Sequence, residues 1–446
     1  MSFRAYSTIQ PSGVNWLGDI PQTRTVWRSK RLFDHRNERA HPGDRQMTAS
    51  QKYGVIYQED YEALEGMKVM QVVNNHEILK HVEAGDFVIS MRSFQGGLEY
   101  SNNTGSVSSA YVAIKPTVNA LSSFYKYLFK SKTYIQALQS TTNLVRDGQA
   151  LRYSNFVQVD LPLPPLNEQQ TIARFLERET AKIDELIGAQ EDLIRLLKEK
   201  RQAVISHAVT KGLDPNAPMK PSGIEWLGDI PAHWEWGRIK NYCRHITDGA
   251  HISPETENGV QPFVSTRDVK AGNIDLENCL RTSETTFEYM VKTGCNPIAG
   301  DLLFSKDGTI GETAVVRDLP PFVVASSLII LRPDGRKCDV NFLNLFCKSA
   351  ACLRQVESFV KGAALPRLSI KNLRNVFIAA PPLSEQEALF EAIAPELDKF
   401  DTLIREASDA IRLLSERRAA LISAAVTGKI DVRGAVDMSE DEAIPA

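Results

Sequence analysis

The chain is 446 residues long, 43% hydrophobic and 24% charged, with a formal net charge of −3. That length exceeds what one hydrophobic core supports and sets the expectation at about two to four domains of ordinary size. No stretch reaches the apolar length of a membrane span, no basic-then-apolar leader is present, and six cysteines without a Cys-x-x-Cys pair read as free thiols in a reducing cytoplasm rather than as a metal set.

In chain order, the first recognisable element is Pro11-Ser12-Gly13-Val14-Asn15-Trp16-Leu17-Gly18-Asp19-Ile20-Pro21. It returns as Pro221-Ser222-Gly223-Ile224-Glu225-Trp226-Leu227-Gly228-Asp229-Ile230-Pro231 with two of the eleven positions changed, so the chain is a tandem duplication. A basic stretch follows the first copy: Arg24, Arg28, Lys30, Arg31, Arg36 and Arg39. Strands are predicted at 86–90 and 110–114, then a helical stretch over 121–139. The loop Met91-Arg92-Ser93-Phe94-Gln95-Gly96-Gly97 between the strands carries side chains suited to base edges, with Arg92, Ser93 and Gln95 the candidates. Downstream, Arg146, Gln149 and Arg152 surround Gly148 at a spacing suited to phosphate contact.

Pro164-Pro165-Leu166-Asn167-Glu168-Gln169 then stops the preceding segment and opens a helix predicted over 168–209, with Asn167 and Gln170 at capping-box spacing. Its apolar positions follow a heptad: Leu176, Ile183, Leu197 and Val204 at one core position, Ile172, Leu186 and Leu193 at the other, and Ile187 and Ile194 widening the stripe.

The second half repeats this plan with different content. Strands are predicted at 301–305 and 327–331 and a helical stretch over 339–359. The loop Ser305-Lys306-Asp307-Gly308-Thr309-Ile310-Gly311 supplies the candidates Lys306, Asp307 and Thr309, joined by Arg267 and by Lys361 and Arg367 of the segment before the second Pro-Pro. Pro381-Pro382-Leu383-Ser384-Glu385-Gln386 opens a second helix, predicted over 385–426, with Leu389, Ile393, Phe400, Leu403, Leu414 and Leu421 on its stripe and Pro395 expected to break or kink it. Two such stripes can bury each other. The packing set expected is Ile183, Leu186, Leu193, Leu197, Phe400, Leu403, Leu414 and Leu421, in an antiparallel pair about 60 Å long at about 1.5 Å per residue, acting as a ruler between two readers.

Between the repeated blocks the two halves share only short framework matches, such as Gly85-Asp86 with Gly300-Asp301. Connectors kept alike around inserts that differ suit two distinct recognition modules. Charge permits nucleic acid as the target: residues 1–160 carry a net +4, while the acidity sits in residues 384–446 at −7. Enzyme signatures are missing, with no phosphate-binding Gly-x-x-x-x-Gly-Lys-Ser/Thr loop, no His-Glu-x-x-His and no Gly-x-Ser-x-Gly. In Asp318-Leu319-Pro320-Pro321-Phe322, Leu319 stands where an amino-methyltransferase motif needs a polar residue.

The twofold Pro-Pro-Leu-x-Glu-Gln helix opening, together with Gly300-Asp301-Leu302-Leu303-Phe304-Ser305-Lys306-Asp307-Gly308-Thr309-Ile310-Gly311, resembles the specificity (S) subunits of type I restriction-modification systems. The resemblance implies an α+β chain with pseudo-two-fold symmetry: two mixed α/β target-recognition domains separated by two long antiparallel helices that form an intramolecular coiled coil. It places the first recognition domain at 1–160, the first helical region at 161–212, the second recognition domain at 213–380, the second helical region at 381–430 and a disordered acidic tail at 431–446. It further implies a non-catalytic subunit reading a split, asymmetric site in double-stranded DNA beside two methyltransferase subunits and restriction/translocase subunits. S-adenosylmethionine, ATP and magnesium would belong to those partners, with no metal or cofactor on this chain. The alternative reading is a scaffold whose inserts bind proteins on a coiled-coil spacer.

Overall fold

A computed structural model describes residues 4–69, 76–142, 151–252, 259–360 and 367–435. Contacts divide the chain into two compact units: Met1–Gln190 with Asp409–Ala446, and Glu191–Ser408. Each unit therefore takes half of each long helix, α1 (Leu166–Lys211) and α2 (Leu383–Thr427).

The duplicated Pro-Ser-Gly block forms the same antiparallel hairpin twice, Ile9–Pro11 against Asp19–Pro21 and Met219–Pro221 against Asp229–Pro231. Its near-identity has a local cause. Ser12 and Ser222 accept the backbone N–H two residues on (3.0 and 3.1 Å), while Leu17, Ile20, Leu227 and Ile230 are buried.

The inserts, though unlike in sequence, build the same four-stranded sheet. In the first unit the strands are β1 (Phe33–Arg36), β2 (Phe87–Ile89), β3 (Glu99–Tyr100) and β4 (Val112–Pro116), in the order β1-β4-β2-β3. In the second they are β5 (Cys243–Asp248), β6 (Leu302–Ser305), β7 (Thr313–Val315) and β8 (Leu328–Pro333), in the order β5-β8-β6-β7. The shared Gly-Asp pair starts the equivalent strands β2 and β6. Gly85 and Gly300 take positive φ (98° and 89°), and the following aspartate accepts the N–H of the residue three back, Glu83 or Ile298, at 2.9 Å. Each aspartate is buried against a guanidinium: Asp86 on Arg36 at 2.6 Å, Asp301 on Arg332 by two bonds of 2.8 Å. Burial raises the Asp86 carboxyl above its usual range against the pull of Arg36.

Each predicted helical stretch is two helices, Ser122–Leu128 with Lys132–Gln139 and Val340–Lys348 with Ala350–Phe359, because Ser131 and Ser349 cap the second of each pair. The long helices begin at Leu166 and Leu383, so Asn167 lies in the first turn and not at the expected cap position, as does Ser384 on α2 in the equivalent place. Pro395 does not break α2. It is exposed, and so is Glu391, whose freed carbonyl can bond water.

In both units the two helix halves run antiparallel. Arg418 pairs with Asp184 at 2.8 Å in the first unit and Arg201 with Asp401 at 2.9 Å in the second. Of the expected packing set, Ile183 and Phe400 are buried and Leu197, Leu414 and Leu421 half-buried, whereas Leu186 (51% exposed), Leu193 (42%) and Leu403 (37%) are exposed. A heptad seam alternates steps of three and four, and from Ile183 either step lands on an apolar residue. The protein steps by four: Ile187 and Ile194 are half-buried where Leu186 and Leu193 are exposed, and on α2 Ile404 is half-buried where Leu403 is exposed.

The Glu-Gln pair of each Pro-Pro motif ties helix to insert. Gln169 and Gln386 are fully buried; their amides donate to Pro164 and Asn119, or Pro381 and Lys337, and their carbonyls accept from Leu121 or Asp339, all at 2.9–3.0 Å. Glu168 receives Arg24 (2.7 Å) and Tyr6 (2.8 Å), whereas Glu385 receives His233 (2.8 Å) and Trp234 (2.9 Å). In the first unit Arg24 also caps the end of α2 through the Val426 carbonyl at 2.8 Å, and Asp431 N–H donates to the Arg4 carbonyl at 2.7 Å.

Candidate nucleic-acid interface

The loop leaving β6 is the best-built candidate surface. Ser305 receives the backbone N–H of Glu312 on its hydroxyl (2.9 Å) and that of Gly311 on its carbonyl (3.1 Å), folding residues 306–311 into a compact tip. The chain returns beside it: Leu368 N–H donates to the Lys306 carbonyl at 2.9 Å, and Asp307 pairs with Arg367 both as an antiparallel bridge and as an ion pair of 3.1 Å. Two segments singled out separately in the sequence are thus brought together, with Asp307, Thr309 and Arg367 at the surface. Asp307 holds Arg367 by Nε, and Arg367 and Thr309 are both exposed.

Lys306 departs from expectation. It is 3% exposed, and its ammonium is an ion-pair partner of the Asp248 carboxylate, which also meets His251 Nε2 at 3.1 Å. A lysine enclosed in this way supports the loop from beneath and does not reach DNA. Asp248 and His251 were missed by the sequence reading because they lie more than fifty residues from the loop, and no local motif marks them. The available signal was indirect: a lysine between buried strand residues needs a counter-charge. Arg267 is exposed on the short 3-10 turn Thr266–Asp268, and among the described residues no hydrogen bond or ion pair links it to this loop. Lys361 lies outside the described residues.

The first unit differs at the equivalent place. Ser93–Gly96 forms a short helix in place of an open loop, and Ser93 is fully buried with its hydroxyl accepting Ser90 N–H at 2.8 Å. Ser93 is therefore a structural residue, while Arg92 and Gln95 on the same turn are exposed. Arg152 is exposed at the start of Tyr153–Phe156, whose Tyr153 ring stacks on His35 at 5.0 Å. Burial, then the nearby Lys80 ammonium, holds the His35 imidazole below its usual range. Arg146 and Gln149 lie outside the described residues. The basic stretch does not form one face, since Arg24 and Arg36 are buried in ion pairs while Arg28, Lys30, Arg31 and Arg39 are exposed.

The family model described as "Type I restriction modification DNA specificity domain" matches residues 27–194 and 231–412, one match to each half of the duplication. The type I restriction enzyme EcoBI specificity subunit of Escherichia coli is 24% identical over 306 residues, covering 67% of this chain and 64% of its own length. The MjaVIII specificity subunit of Methanocaldococcus jannaschii is 23% identical over 371 residues, covering 81% of this chain and 82% of its own. Among solved structures, a chain from work on complex assembly and conformational transition of the type I R-M system superposes with TM-score 0.62 at 16% identity, over 92% of this chain and 99% of that one, a likeness of fold. Two matches on two equivalent sheets, joined by the paired helices, make this chain a member of the type I restriction-modification DNA specificity family.

Proposed function

We propose that each unit reads one half of a split DNA sequence, so that the chain positions partner enzymes on a bipartite, asymmetric site. The observation that carries this is one scaffold bearing two different tips: the same four-strand order supports a folded 306–311 loop in one unit and the Ser93–Gly96 helix in the other. Exposed Thr309 and Arg367, and exposed Arg92, Gln95 and Arg152, supply the donors and acceptors that base edges and phosphates require.

As a specificity subunit the chain is the non-catalytic part of its system. The chemistry is assigned to partners: two methyltransferase subunits carrying S-adenosylmethionine, and restriction/translocase subunits using ATP and magnesium, all in the cytoplasm. No helix among the described residues is long and apolar enough to cross a membrane. Methylation mapping in a cell carrying this chain with its partner methyltransferase tests the reading. A two-part motif with unlike halves is expected, and a single contiguous or palindromic motif would count against it. The scaffold alternative is not favoured by the family membership.

A further inference from the structure

One cluster in the first unit lies away from the exposed tips, on a pair of short strand segments. The segment around Arg39 pairs antiparallel with the strand Lys80–Val82: Arg39 bridges Lys80, and His81 N–H donates to the Glu38 carbonyl at 3.1 Å. This sets Glu38 and His81 opposite each other, where cross-strand side chains meet. Two residues on, His41-Pro42-Gly43-Asp44 makes a tight turn, with Asp44 N–H donating to the His41 carbonyl at 3.1 Å and Gly43 at φ 94°. Proline followed by glycine at the turn centre encodes that geometry locally. It folds the His41 ring back onto His81, with centroids 3.9 Å apart.

We propose that Glu38, His41 and His81 bind a divalent transition-metal ion, with zinc the expected occupant and water in the fourth position. Each offers one ligand atom, and all lie within 4.8 Å of one another. Two imidazoles and one carboxylate form a borderline donor set that suits zinc over calcium or magnesium. A tetrahedron with bonds of about 2.0–2.1 Å needs donors about 3.3 Å apart, so the exposed His41 ring, stacked on His81 at 23°, would turn out of the stack to aim its lone pair at the ion.

Two features separate this cluster from an ordinary polar patch. His81 is 3% exposed, and its Nδ1 donates to Asp44 Oδ2 at 2.8 Å, which fixes the tautomer with the lone pair on Nε2. That Nε2 lies 3.7 Å from the nearest carboxylate oxygen, on Glu83, beyond hydrogen-bond reach. A carboxylate orienting the far nitrogen of a buried histidine is the support that metal-binding imidazoles use. Asp44 is itself anchored by His41 N–H at 2.8 Å, and Arg36 Nη1 holds Glu38 Oε1 at 3.0 Å, leaving the second oxygen for the ion.

The test is calorimetric titration of the chelator-treated full chain with zinc chloride, with cobalt substitution read by visible absorption. One ion per chain is expected. His41→Ala and Glu38→Gln, both at accessible positions, should weaken binding at least about tenfold, as should Asp44→Asn through loss of the orienting bond. His76→Ala, in the same unit but outside the cluster, should leave binding unchanged. Absence of stoichiometric zinc in the unaltered chain, or full affinity retained in both His41→Ala and Glu38→Gln, would overturn the proposal.

Discussion

Replacing Gln386 by alanine removes three hydrogen bonds of 2.9 Å from a side chain with no exposed surface. Lys337 is an exposed residue, so its carbonyl can turn to water, but the carbonyl of buried Pro381 and the Asp339 N–H at the start of Val340–Lys348 lose their partner inside the protein. At about 1–3 kcal/mol for each of the two stranded groups, the substitution should cost about 2–6 kcal/mol. For a unit of this size, at about 2–4 °C per kcal/mol, that corresponds to a fall in Tm of about 4–24 °C. Urea unfolding of the isolated chain measures it directly, and Gln169→Ala should give a loss of similar size because Gln169 makes the equivalent three bonds in the other unit. A loss below about 1 kcal/mol in both variants would show that the repeated glutamine is not what fastens the insert to its helix.

Two further outcomes follow from particular side chains. Leu197→Asp, at the half-buried seam, should destabilise the second unit by about 1–3 kcal/mol, while Leu186→Asp, on the outward face, should stay within about 0.5 kcal/mol in the isolated chain; equal losses by chemical denaturation would refute the seam assigned to α1. Glu99 is buried with Oε1 unpartnered and Oε2 on Lys130 at 2.6 Å, and burial raises its pKa above the ordinary 4.5 against the opposing pull of Lys130. A carboxyl whose folded pKa is raised disfavours folding when ionised, so its stability contribution is greatest at low pH and is lost as pH rises above 4.5 through the folded value. Glu99→Gln should therefore flatten the dependence of Tm on pH across that window; an unchanged profile would remove Glu99 as its source.

Much of the architecture was legible because repetition exposes what the backbone demands. The Pro-Ser-Gly hairpin, the Gly-Asp strand openings and the Glu-Gln helix openings each recur, and each proves to satisfy a specific set of buried groups. Seam register was less legible, since Leu186 and Ile187 are both apolar and periodicity alone does not choose between a step of three and a step of four. The tips were legible in position and not in role. Ser93 and Lys306 have the chemistry of contact residues, but each is turned inward by a partner, Ser90 three residues away for the first and Asp248 far along the chain for the second. Arg24 reads as part of a basic stretch until Glu168 and the Val426 carbonyl, from elsewhere in the chain, enclose it.

The central claim, one unit for each half of the DNA site, is tested most directly by exchanging residues 22–158 for the corresponding insert of a relative and mapping the methylated motif in cells that supply the partner methyltransferase. The account predicts that one half of the motif changes to that of the donor while the other half stays as it was. A motif altered in both halves, or in neither, would contradict it.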